Sequence, residues 1–314
     1  MHRWITALFL VLATPLLAES TNQFIIADYN VENWNSIERQ GKPNQPKPQA
    51  ERDAVVNVIL KIRPDVLAME EMGKTNDLAE LASALRAKGL DYRYQEWVEG
   101  ADLDRHVSLL SRFPIVARQP QTNDTYLVEG KPTRVQRGFL DVLIKVNSDY
   151  SFRAIVAHLK SKRRVDYGDQ AAMRLDEARL LRAHVDEILT ASSSQNVIAM
   201  GDFNDTPDSE AIHAILSDPN TKFFPLRPVD GNGKDGTHFW RARNEFSRID
   251  YLITSPGMSN EYVRDSARIA DVDGWKDASD HRLIYTRFYD HDLDGSTVPV
   301  SGQLPTATTA VPPK

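Results

Sequence analysis

Asp202 and Asn204 follow a short apolar run, residues 197–200, with Gly201 between. On an extended chain, residues two apart face the same side, so this carboxylate and this amide point together. Such a pair could serve a divalent cation or a phosphate oxygen. Gly-Asp and Asn-Asp are also common turn formers. Taken alone, the segment is better interpreted as a polar turn after a buried strand.

Several other predicted strands also end in side chains that can bind a metal or move a proton. They are Asn30 and Glu32, Glu70 and Glu71, His158, Asp250, and Asp280 with His281. Each has an ordinary interpretation by itself, because acids at strand ends are often solvated and a single histidine is more often structural. The chain has no cysteine, which excludes thiolate zinc sites, and oxygen ligands suit Mg²⁺, Mn²⁺ or Ca²⁺.

Taken in order, these segments resemble the endonuclease/exonuclease/phosphatase family, which has the deoxyribonuclease I-like fold. They are YNVEN at 29–33, PDVLAMEE at 64–71, AHLKS at 157–161, GDFND at 201–205, RIDYL at 248–252 and SDH at 279–281. The resemblance spans roughly residues 23–288 and includes secreted bacterial members. It implies a four-layer α/β/β/α sandwich, with two packed mixed β-sheets flanked by helices, and metal-assisted cleavage of phosphate esters.

The resemblance also implies roles for individual residues. The implied metal-binding residues are Asn30, Glu71 and Asp280, and the implied catalytic residues are His158, Asp202, Asn204, Asp250 and His281. Strand alternation lets only one of Glu70 and Glu71 face the site, and the resemblance selects Glu71. Glu32 could also approach the metal through a water molecule. The implied metal is Mg²⁺, with Mn²⁺ or Ca²⁺ as alternatives.

The chemistry of phosphodiester hydrolysis suits these residue types. His281, oriented by Asp250, can take a proton from water, and Asp202 is the rival base. His158 can polarise the phosphate or protonate the leaving group. Arg137, which precedes a predicted strand, is a candidate cation for the developing negative charge, although a surface charge is an equally good interpretation.

A basic run directly follows His158. Lys160, Lys162, Arg163 and Arg164 could bind successive phosphates of DNA or RNA, and the stretch HLKSKR is similar to that of secreted bacterial nucleases in the family. The alternative is that these charges only solvate a loop. The run therefore predicts a nuclease, with nucleic acid or another phosphodiester as the binding partner.

Trp240, with Arg241 and Arg243, could stack on a base or a sugar, or could anchor a loop. The second interpretation of the whole chain is a sphingomyelinase-like phosphodiesterase or phosphatase acting on lipid head groups or small phosphate esters. The lack of a clear apolar membrane-insertion hairpin argues against its lipid form. A noncatalytic binding protein on the same fold is a third interpretation, and retention of every expected polar position argues against it.

The elements that must position these residues alternate between strand and helix patterns. Short apolar or alternating runs predict strands over residues 24–29, 66–69, 107–110, 139–146, 152–158, 197–200, 249–253 and 283–288. Apolar residues at helical spacing predict helices over 54–62, from 78 to near 89, and over 170–189. The pattern, without repeats or an internal linker, predicts one α/β domain on two packed sheets over residues 19–289.

The two ends of the chain differ from this domain. A basic start, an apolar run and a small residue at Ala18 predict a secretory signal peptide over residues 1–18. We therefore expect a periplasmic or extracellular protein without a membrane span after cleavage, and no obligate protein partner is evident. Residues 290–314 are predicted to be a disordered Ser/Thr/Pro-rich tail, and its start, DHDLDG, is at best a weak calcium loop, because position twelve is Ser301 rather than glutamate.

Overall composition limits the ways of binding a polyanion. The 314 residues carry 38 basic and 44 acidic side chains, a net charge of −6. This balance argues against a protein that holds nucleic acid by bulk positive charge. It leaves room for an enzyme with a local basic patch, which must also release its product.

Overall fold

The computed structural model describes residues 22–217 and 223–293. The strands are β1 (Gln23–Asn30), β2 (Ile37–Arg39), β3 (Lys42–Gln45), β4 (Val66–Met72), β5 (Tyr94–Val98), β6 (His106–Ser111), β7 (Ile115–Arg118), β8 (Thr125–Val128), β9 (Lys131–Arg134), β10 (Phe139–Lys145), β11 (Ser151–Ala157), β12 (Val197–Asp202), β13 (Phe224–Pro225), β14 (His238–Trp240), β15 (Glu245–Ser247), β16 (Asp250–Thr254), β17 (Arg268–Ile269) and β18 (Ile284–Tyr289). The helices are α1 (Gln49–Ile62), α2 (Thr75–Ala87), α3 (Gln170–Ala191), α4 (Glu210–Leu216), α5 (Pro256–Asn260) and α6 (Trp275–Ala278).

Two six-stranded sheets form the centre of the domain. The first has the order β17-β18-β1-β4-β6-β5, and the second has the order β13-β16-β12-β11-β10-β7. Each sheet is mixed, because β1 runs parallel to β4 and β11 runs parallel to β12, whereas the neighbouring pairs are antiparallel. Parallel pairs bring the carboxyl ends of their strands to one edge, and both parallel pairs lie near the middle of their sheets.

Three apolar clusters separate the layers. One lies between the sheets and joins residues such as Phe24 and Leu109 of the first sheet to Phe152 and Met200 of the second. The other two cover the outer faces, one under α1, α2 and α6 and the other under α3 and α4. This arrangement confirms the predicted four-layer α/β/β/α sandwich of two mixed sheets flanked by helices.

The long predicted elements are confirmed to within a few residues, and the short polar ones were missed. Three small hairpins, β2–β3, β8–β9 and β14–β15, lie outside the main sheets. Strand β3 reads KPNQ and is mostly exposed, so it has no apolar alternation from which a strand could be predicted. Their positions depend on contacts with the rest of the domain rather than on local pattern.

The domain extends beyond its predicted end. Asp290 accepts a hydrogen bond from Asn147 through its carbonyl, and the Leu293 amide donates to Glu261 Oε1 at 3.1 Å. The predicted tail boundary at residue 290 is therefore four residues too early, because residues 290–293 are bound to the domain surface. The predicted signal peptide and the rest of the tail lie outside the described residues. Within residues 22–217 and 223–293, the model contains no helix with the length and apolar character needed to cross a membrane.

Candidate active site

The predicted site segments meet at one edge of the two sheets. Asn30 ends β1 and Asp202 ends β12, and the Asn30 Nδ2 group donates a hydrogen bond to Asp202 Oδ2 at 3.1 Å. This bond joins the first sheet to the second. In each strand alternate side chains point toward the other sheet, and Asn30 and Asp202 both occupy such positions. Residues 172 apart in the chain are thus neighbours beneath the surface of this edge.

Asp202 contacts several of the polar side chains at this edge. Its side chain is almost fully buried and accepts hydrogen bonds from Asn30, from the Asn204 amide and from Asn204 Nδ2. The Nε2 atoms of His158 and His281 lie 3.5 Å and 3.7 Å from Asp202 Oδ2. Burial raises the pKa of Asp202, the charge of His281 opposes this and Asp250 adds to it, so that the pKa reaches about 7.

His281 is held by a carboxylate behind it. Its Nδ1 atom lies 2.9 Å and 3.1 Å from the two oxygens of Asp250, which leaves Nε2 directed at Asp202. Asp250 also accepts a 2.5 Å hydrogen bond from Thr237 Oγ1, and the same hydroxyl accepts the Asp250 amide. Thr237 is a fully buried residue that the sequence analysis did not identify. We call Asn30, Asp202, Asp250 and His281 the buried centre.

The surroundings of the two histidines have opposite electrostatic effects. Burial alone lowers the pKa of His281, but the carboxylates of Asp250 and Asp202 outweigh it and hold the pKa well above its ordinary value. Burial and the positive charge of Arg137 lower the pKa of His158 far below its ordinary value. Without a bound metal, the surroundings therefore favour the charged form of His281 and the neutral form of His158.

Arg137 provides a positive charge beside His158. The residue is 8% exposed, and its Nε atom lies 3.3 Å from Asp102 Oδ2 in an ion pair. Its Nε and Nη1 atoms have no hydrogen-bond partner among the described residues. Buried donors normally have partners, so a guanidinium in this state is available to an anion. The predicted alternative, a surface charge, does not fit its burial.

The structure distinguishes the two adjacent glutamates. Glu70 is fully buried between the sheets beside Asp28, and burial together with the charge of Asp28 raises its pKa well above the ordinary value. The pairing of β4 with β6 shifts register between Met69 and Met72, and Glu71 adopts a left-handed φ of 58° within this irregularity. The bulge turns Glu71 outward, where Oε2 accepts the Asn33 amide at 3.0 Å. This supports the choice of Glu71.

The side chains of Glu32, Glu71 and Asp280 supply carboxylate oxygens at this edge. Burial and the charge of Asp280 raise the pKa of Glu32, so two acids repel each other in the absence of a cation. Burial alone would raise the pKa of Asp280, but His238 and His281 lower it to about 2. Asn30, Glu71 and Asp280, together with Glu32, offer the oxygen ligands that a hard divalent ion such as Mg²⁺ prefers.

The basic loop (residues 160–164) differs in part from its prediction. Lys160 is buried, and its ammonium group donates to the carbonyls of Ser161 and Arg163. This ammonium is therefore turned onto the backbone and not toward a polymer, contrary to the predicted phosphate contact. Lys162 is exposed but pairs with Asp205 at 2.8 Å. Arg163 and Arg164 are exposed and are the accessible cations of the run.

Asn204 lies beside Asp202, as predicted, and its side-chain amide already donates two hydrogen bonds. Its Nδ2 group donates to the Leu159 carbonyl at 3.0 Å and to Asp202 Oδ2 at 3.3 Å. Its backbone has a left-handed φ of 55°, which asparagine tolerates better than most residues. The Asn204 side chain thus connects Asp202 to the loop that follows His158. To donate a hydrogen bond to a scissile phosphate, its Nδ2 group must first break one of these two bonds.

One of the three small hairpins borders the site. We call β14–β15, residues 238–247, the outer hairpin. Its Phe239 amide donates to the Asp280 carbonyl at 2.8 Å, which fixes the hairpin to the SDH segment. Trp240 is 48% exposed, and Arg243 lies 4.2 Å from its ring centroid. Arg241 lies 3.6 Å from Glu32. The hairpin also carries His238, which the sequence analysis missed because an isolated histidine has no distinguishing local pattern.

Gly201, the first residue of the GDFND segment, occupies a position that has no room for a side chain. It adopts a φ of +138°, and a Cβ atom there would lie 2.0 Å from the Ala157 carbonyl oxygen. Real Cβ atoms do not approach so closely, so a side chain at this position would force β11 and β12 apart. Those strands carry His158 and Asp202 at their ends, and glycine therefore sets their distance.

Sequence comparison identifies the family to which these segments correspond. The model of the Endonuclease/Exonuclease/phosphatase family matches residues 29–281, which is most of the chain. The match includes all six segments of the site. No curated protein sequence matched the chain.

Solved structures share the architecture. Sphingomyelinase C from Streptomyces griseocarneus matches with a TM-score of 0.58 and 17% identity, covering 85% of this chain and 99% of that chain. A family protein from Bacteroides vulgatus matches with a TM-score of 0.60 and 18% identity, covering 84% and 98%. Truncated Caenorhabditis elegans TDP2 matches with a TM-score of 0.56 and 14% identity, covering 85% and 98%. At these identities the likeness shows the fold alone.

Proposed function

The chain belongs to the endonuclease/exonuclease/phosphatase family, and we propose that it is a secreted, Mg²⁺-dependent phosphodiesterase that hydrolyses DNA or RNA. The family hydrolyses phosphoester bonds with divalent metals, so the chain is a metal-dependent phosphoester hydrolase. The proposal adds the metal, the substrate and the location. The observation that carries it is the hydrogen-bonded chain from Thr237 through Asp250 to His281, which faces Asp202 beside a basic loop.

Metal binding is assigned to side-chain oxygens at this edge of the sheets. Glu71 and Asp280 would supply carboxylates and Asn30 an amide oxygen, with Glu32 close enough to act through water. When bound, Mg²⁺ neutralises charge on phosphate oxygens and on the leaving oxygen. Glu70 has no such role in this assignment, because its carboxyl group is enclosed between the sheets with Asp28.

Proton transfer is assigned to Asp202 and His281. A water molecule that attacks phosphorus must lose a proton, and Asp202 Oδ2 and His281 Nε2 lie 3.7 Å apart. The proton can be held at either atom, because Asp250 fixes the ring with Nε2 toward Asp202. General acid–base groups of this kind contribute roughly 10²–10⁴-fold to rate.

Phosphate stabilisation is assigned to His158 and Arg137. Because the pKa of His158 is lowered by burial and by Arg137, its neutral ring can donate a hydrogen bond to a phosphate oxygen. This favours polarisation of the phosphate over protonation of the leaving group. The Nη1 group of Arg137, which has no hydrogen-bond partner among the described residues, can bind the charge that develops on the phosphoryl oxygens, and prearranged charges of this kind stabilise such transition states.

Substrate choice rests on the exposed groups around the site. Arg163 and Arg164 are exposed on the loop that follows His158, and exposed cations of this kind can contact the phosphates of a polynucleotide backbone. Trp240 offers one exposed ring face, since Arg243 covers the other, and sequence-tolerant stacking of bases uses such faces. These features favour a polynucleotide over a small phosphate ester.

A substrate panel tests the activity. The purified protein is incubated with DNA, RNA, sphingomyelin, bis-p-nitrophenyl phosphate and p-nitrophenyl phosphate, with Mg²⁺ and after removal of metal by EDTA. We expect Mg²⁺-dependent cleavage of a polynucleotide and of the small diester, with little cleavage of the monoester. Cleavage of sphingomyelin without cleavage of polynucleotide would show that the enzyme is a lipid phosphodiesterase and not a nuclease. Full activity after EDTA treatment would contradict the proposed need for Mg²⁺.

The N-terminus of the exported protein tests the location. A basic start followed by an apolar run and Ala18 supports signal-peptide cleavage. Expression in a bacterial host, followed by N-terminal sequencing of the periplasmic or culture fraction, should give a chain that begins at Glu19. A cytoplasmic protein that retains residues 1–18 would contradict the proposed secretion.

A further inference from the structure

The outer hairpin places a third histidine beside the SDH segment. His238 opens β14 and forms an isolated bridge with His281, and the two imidazole rings lie 4.8 Å apart between centroids. Asp280 lies between them in sequence and in space. We call His238, Asp280 and His281 the histidine cluster. The mechanism above uses its last two members, and His238 has no role in that mechanism.

The three side chains converge on one small volume. His238 Nε2 lies 3.7 Å from Asp280 Oδ2, and His281 Nε2 lies 3.9 Å from Asp280 Oδ1. One ligand atom from each residue lies within 4.8 Å of the others. Ligands on a tetrahedral ion with bonds of about 2.0–2.2 Å are separated by about 3.3–3.6 Å. A pair at the 4.8 Å limit would have to close by about 1.2–1.5 Å, shared between two side chains, to form a three-ligand site.

Both rings are oriented by oxygen atoms on their far sides. His238 Nδ1 lies 3.3 Å from Ser247 Oγ, and His281 Nδ1 lies 2.9 Å from Asp250 Oδ1. Each ring therefore presents Nε2 to Asp280. Metal-binding histidines usually have this arrangement, in which an oxygen at the second ring nitrogen fixes the ring and raises its basicity.

The donor set selects the type of ion. Two imidazoles with one carboxylate suit Zn²⁺ and similar transition metals, whereas Mg²⁺ prefers oxygen ligands and near-octahedral geometry. The oxygen set of Asn30, Glu71 and Asp280 and the histidine cluster share Asp280 alone. Two donor sets that prefer different ions would therefore share one carboxylate.

We infer that the histidine cluster is an inhibitory transition-metal site, with Zn²⁺ as its expected ligand. Zn²⁺ bound there would occupy His281 Nε2, the atom that holds a proton in the proposed mechanism, and would draw Asp280 away from the oxygen set. The inhibition rests on the proposed function, but the binding of Zn²⁺ does not. His238 is then a regulatory ligand whose removal weakens Zn²⁺ without removing the oxygen set.

Calorimetry tests the site without reference to turnover. Metal-free protein carrying no polyhistidine tag is titrated with Zn²⁺, with and without excess Mg²⁺, and compared with His238→Gln and with His213→Gln, an exposed histidine of α4. Loss of an outer partner of a metal ligand already costs roughly 10–100-fold in affinity. We therefore expect at least tenfold weaker binding for His238→Gln and unchanged binding for His213→Gln. Equal affinity of the wild type and His238→Gln, or no binding by the wild type, would overturn the site.

Zn²⁺ titration of activity tests the inhibition. Hydrolysis of bis-p-nitrophenyl phosphate is followed at saturating Mg²⁺, and each variant is normalised to its own rate without Zn²⁺. The Zn²⁺ concentration for half-inhibition should rise at least tenfold in His238→Gln and stay constant in His213→Gln. Binding that depends on His238 but leaves or increases turnover would overturn the inhibitory role. If the wild type hydrolyses no diester with Mg²⁺, the proposed function fails, and calorimetry still decides the site.

Discussion

The buried centre and the basic loop lie next to each other but are built differently. In the buried centre, Asn30, Asp202, Asp250 and His281 are nearly enclosed and joined by hydrogen bonds from both sheets. In the basic loop, the accessible Arg163 and Arg164 project from a segment without regular structure. Rigid, prepaired groups suit proton transfer, which tolerates little displacement. Exposed cations suit a polymer whose phosphates all look alike.

The comparison also shows how burial changes the meaning of a charged residue. Lys160 belongs to the basic run by sequence, yet its burial commits the ammonium group to carbonyls. Arg137 is buried as well, but within residues 22–217 and 223–293 its Nη1 group has no hydrogen-bond partner. Its position beside His158 therefore links the two regions. Changes in the buried centre should affect the chemical step, and changes in the basic loop should affect binding of long substrates.

The largest expected effect is on the buried centre. His281→Ala should lower kcat for bis-p-nitrophenyl phosphate by roughly 10²–10⁴-fold, because the proton-holding Nε2 is lost. Asp250→Asn should give a smaller loss by misorienting the ring. Stopped-assay kinetics with His213→Ala as the control measure this, and circular dichroism checks the fold. Near-normal kcat for His281→Ala would show that the residue is structural.

The next effect separates the adjacent glutamates. Glu71→Gln should raise the Mg²⁺ concentration for half-maximal activity by at least about tenfold, because a carboxylate ligand is lost. Glu70→Gln should change it little, since the buried Glu70 carboxyl has a raised pKa and glutamine nearly matches its protonated form in shape. Mg²⁺ titrations of activity measure both. The reverse ranking would show that the bulge presents the wrong acid.

A smaller effect is expected from the basic loop. Replacing Lys162, Arg163 and Arg164 with alanine should raise KM for DNA or RNA and flatten the dependence of log KM on log salt, by roughly 0.7–0.9 units per lost phosphate contact. Hydrolysis of bis-p-nitrophenyl phosphate should be almost unchanged, because this diester is too small to reach the loop.

Charge alone must be controlled in that experiment. Alanine at Lys88, Lys145 and Arg264, three exposed cations outside both regions, removes the same charge from elsewhere on the surface. This control should leave the salt slope unchanged. An identical slope in both triple variants would mean that the loop makes no specific phosphate contacts and that only net charge matters.

The smallest effect is expected at Trp240. Trp240→Ala should weaken polynucleotide binding by about 1 kcal/mol, the low end for stacking on one base, because Arg243 already covers one ring face. Trp240→Phe should retain most of the binding, and kcat for the small diester should stay constant in both. Fluorescence anisotropy with a short labelled oligonucleotide measures the difference. Equal binding by the alanine and wild-type proteins would make Trp240 a hairpin anchor.

Much of the site could be predicted from local sequence. The apolar runs of β1, β12 and β18 and the polar residues at or just outside their ends, such as Asn30 and Asp202, are visible without a structure, because buried strands need apolar side chains and strand ends can be polar. The order of the six segments then indicates the family.

Other features depend on contacts that local pattern does not contain. Lys160 and Arg163 look alike in sequence, and only the packing of the loop separates a buried ammonium group from an exposed guanidinium group. Thr237 and His238 lie in a polar stretch without periodicity, and their importance comes from Asp250 and Asp280, which are 13 and 42 positions further along the chain.

By itself, the pattern of the sequence determined one α/β domain on two packed sheets and the residues that end its strands, because burial of apolar runs is a local requirement repeated along the chain. The four-layer sandwich followed from the resemblance to the family. Tertiary structure decided which of those polar groups meet. The bond from Asn30 to Asp202 and the choice between Glu70 and Glu71 depend on how two sheets pack and where one strand bulges. Distances of this kind are set by long-range packing, since residues far apart in the chain have no local signal that they are neighbours in space.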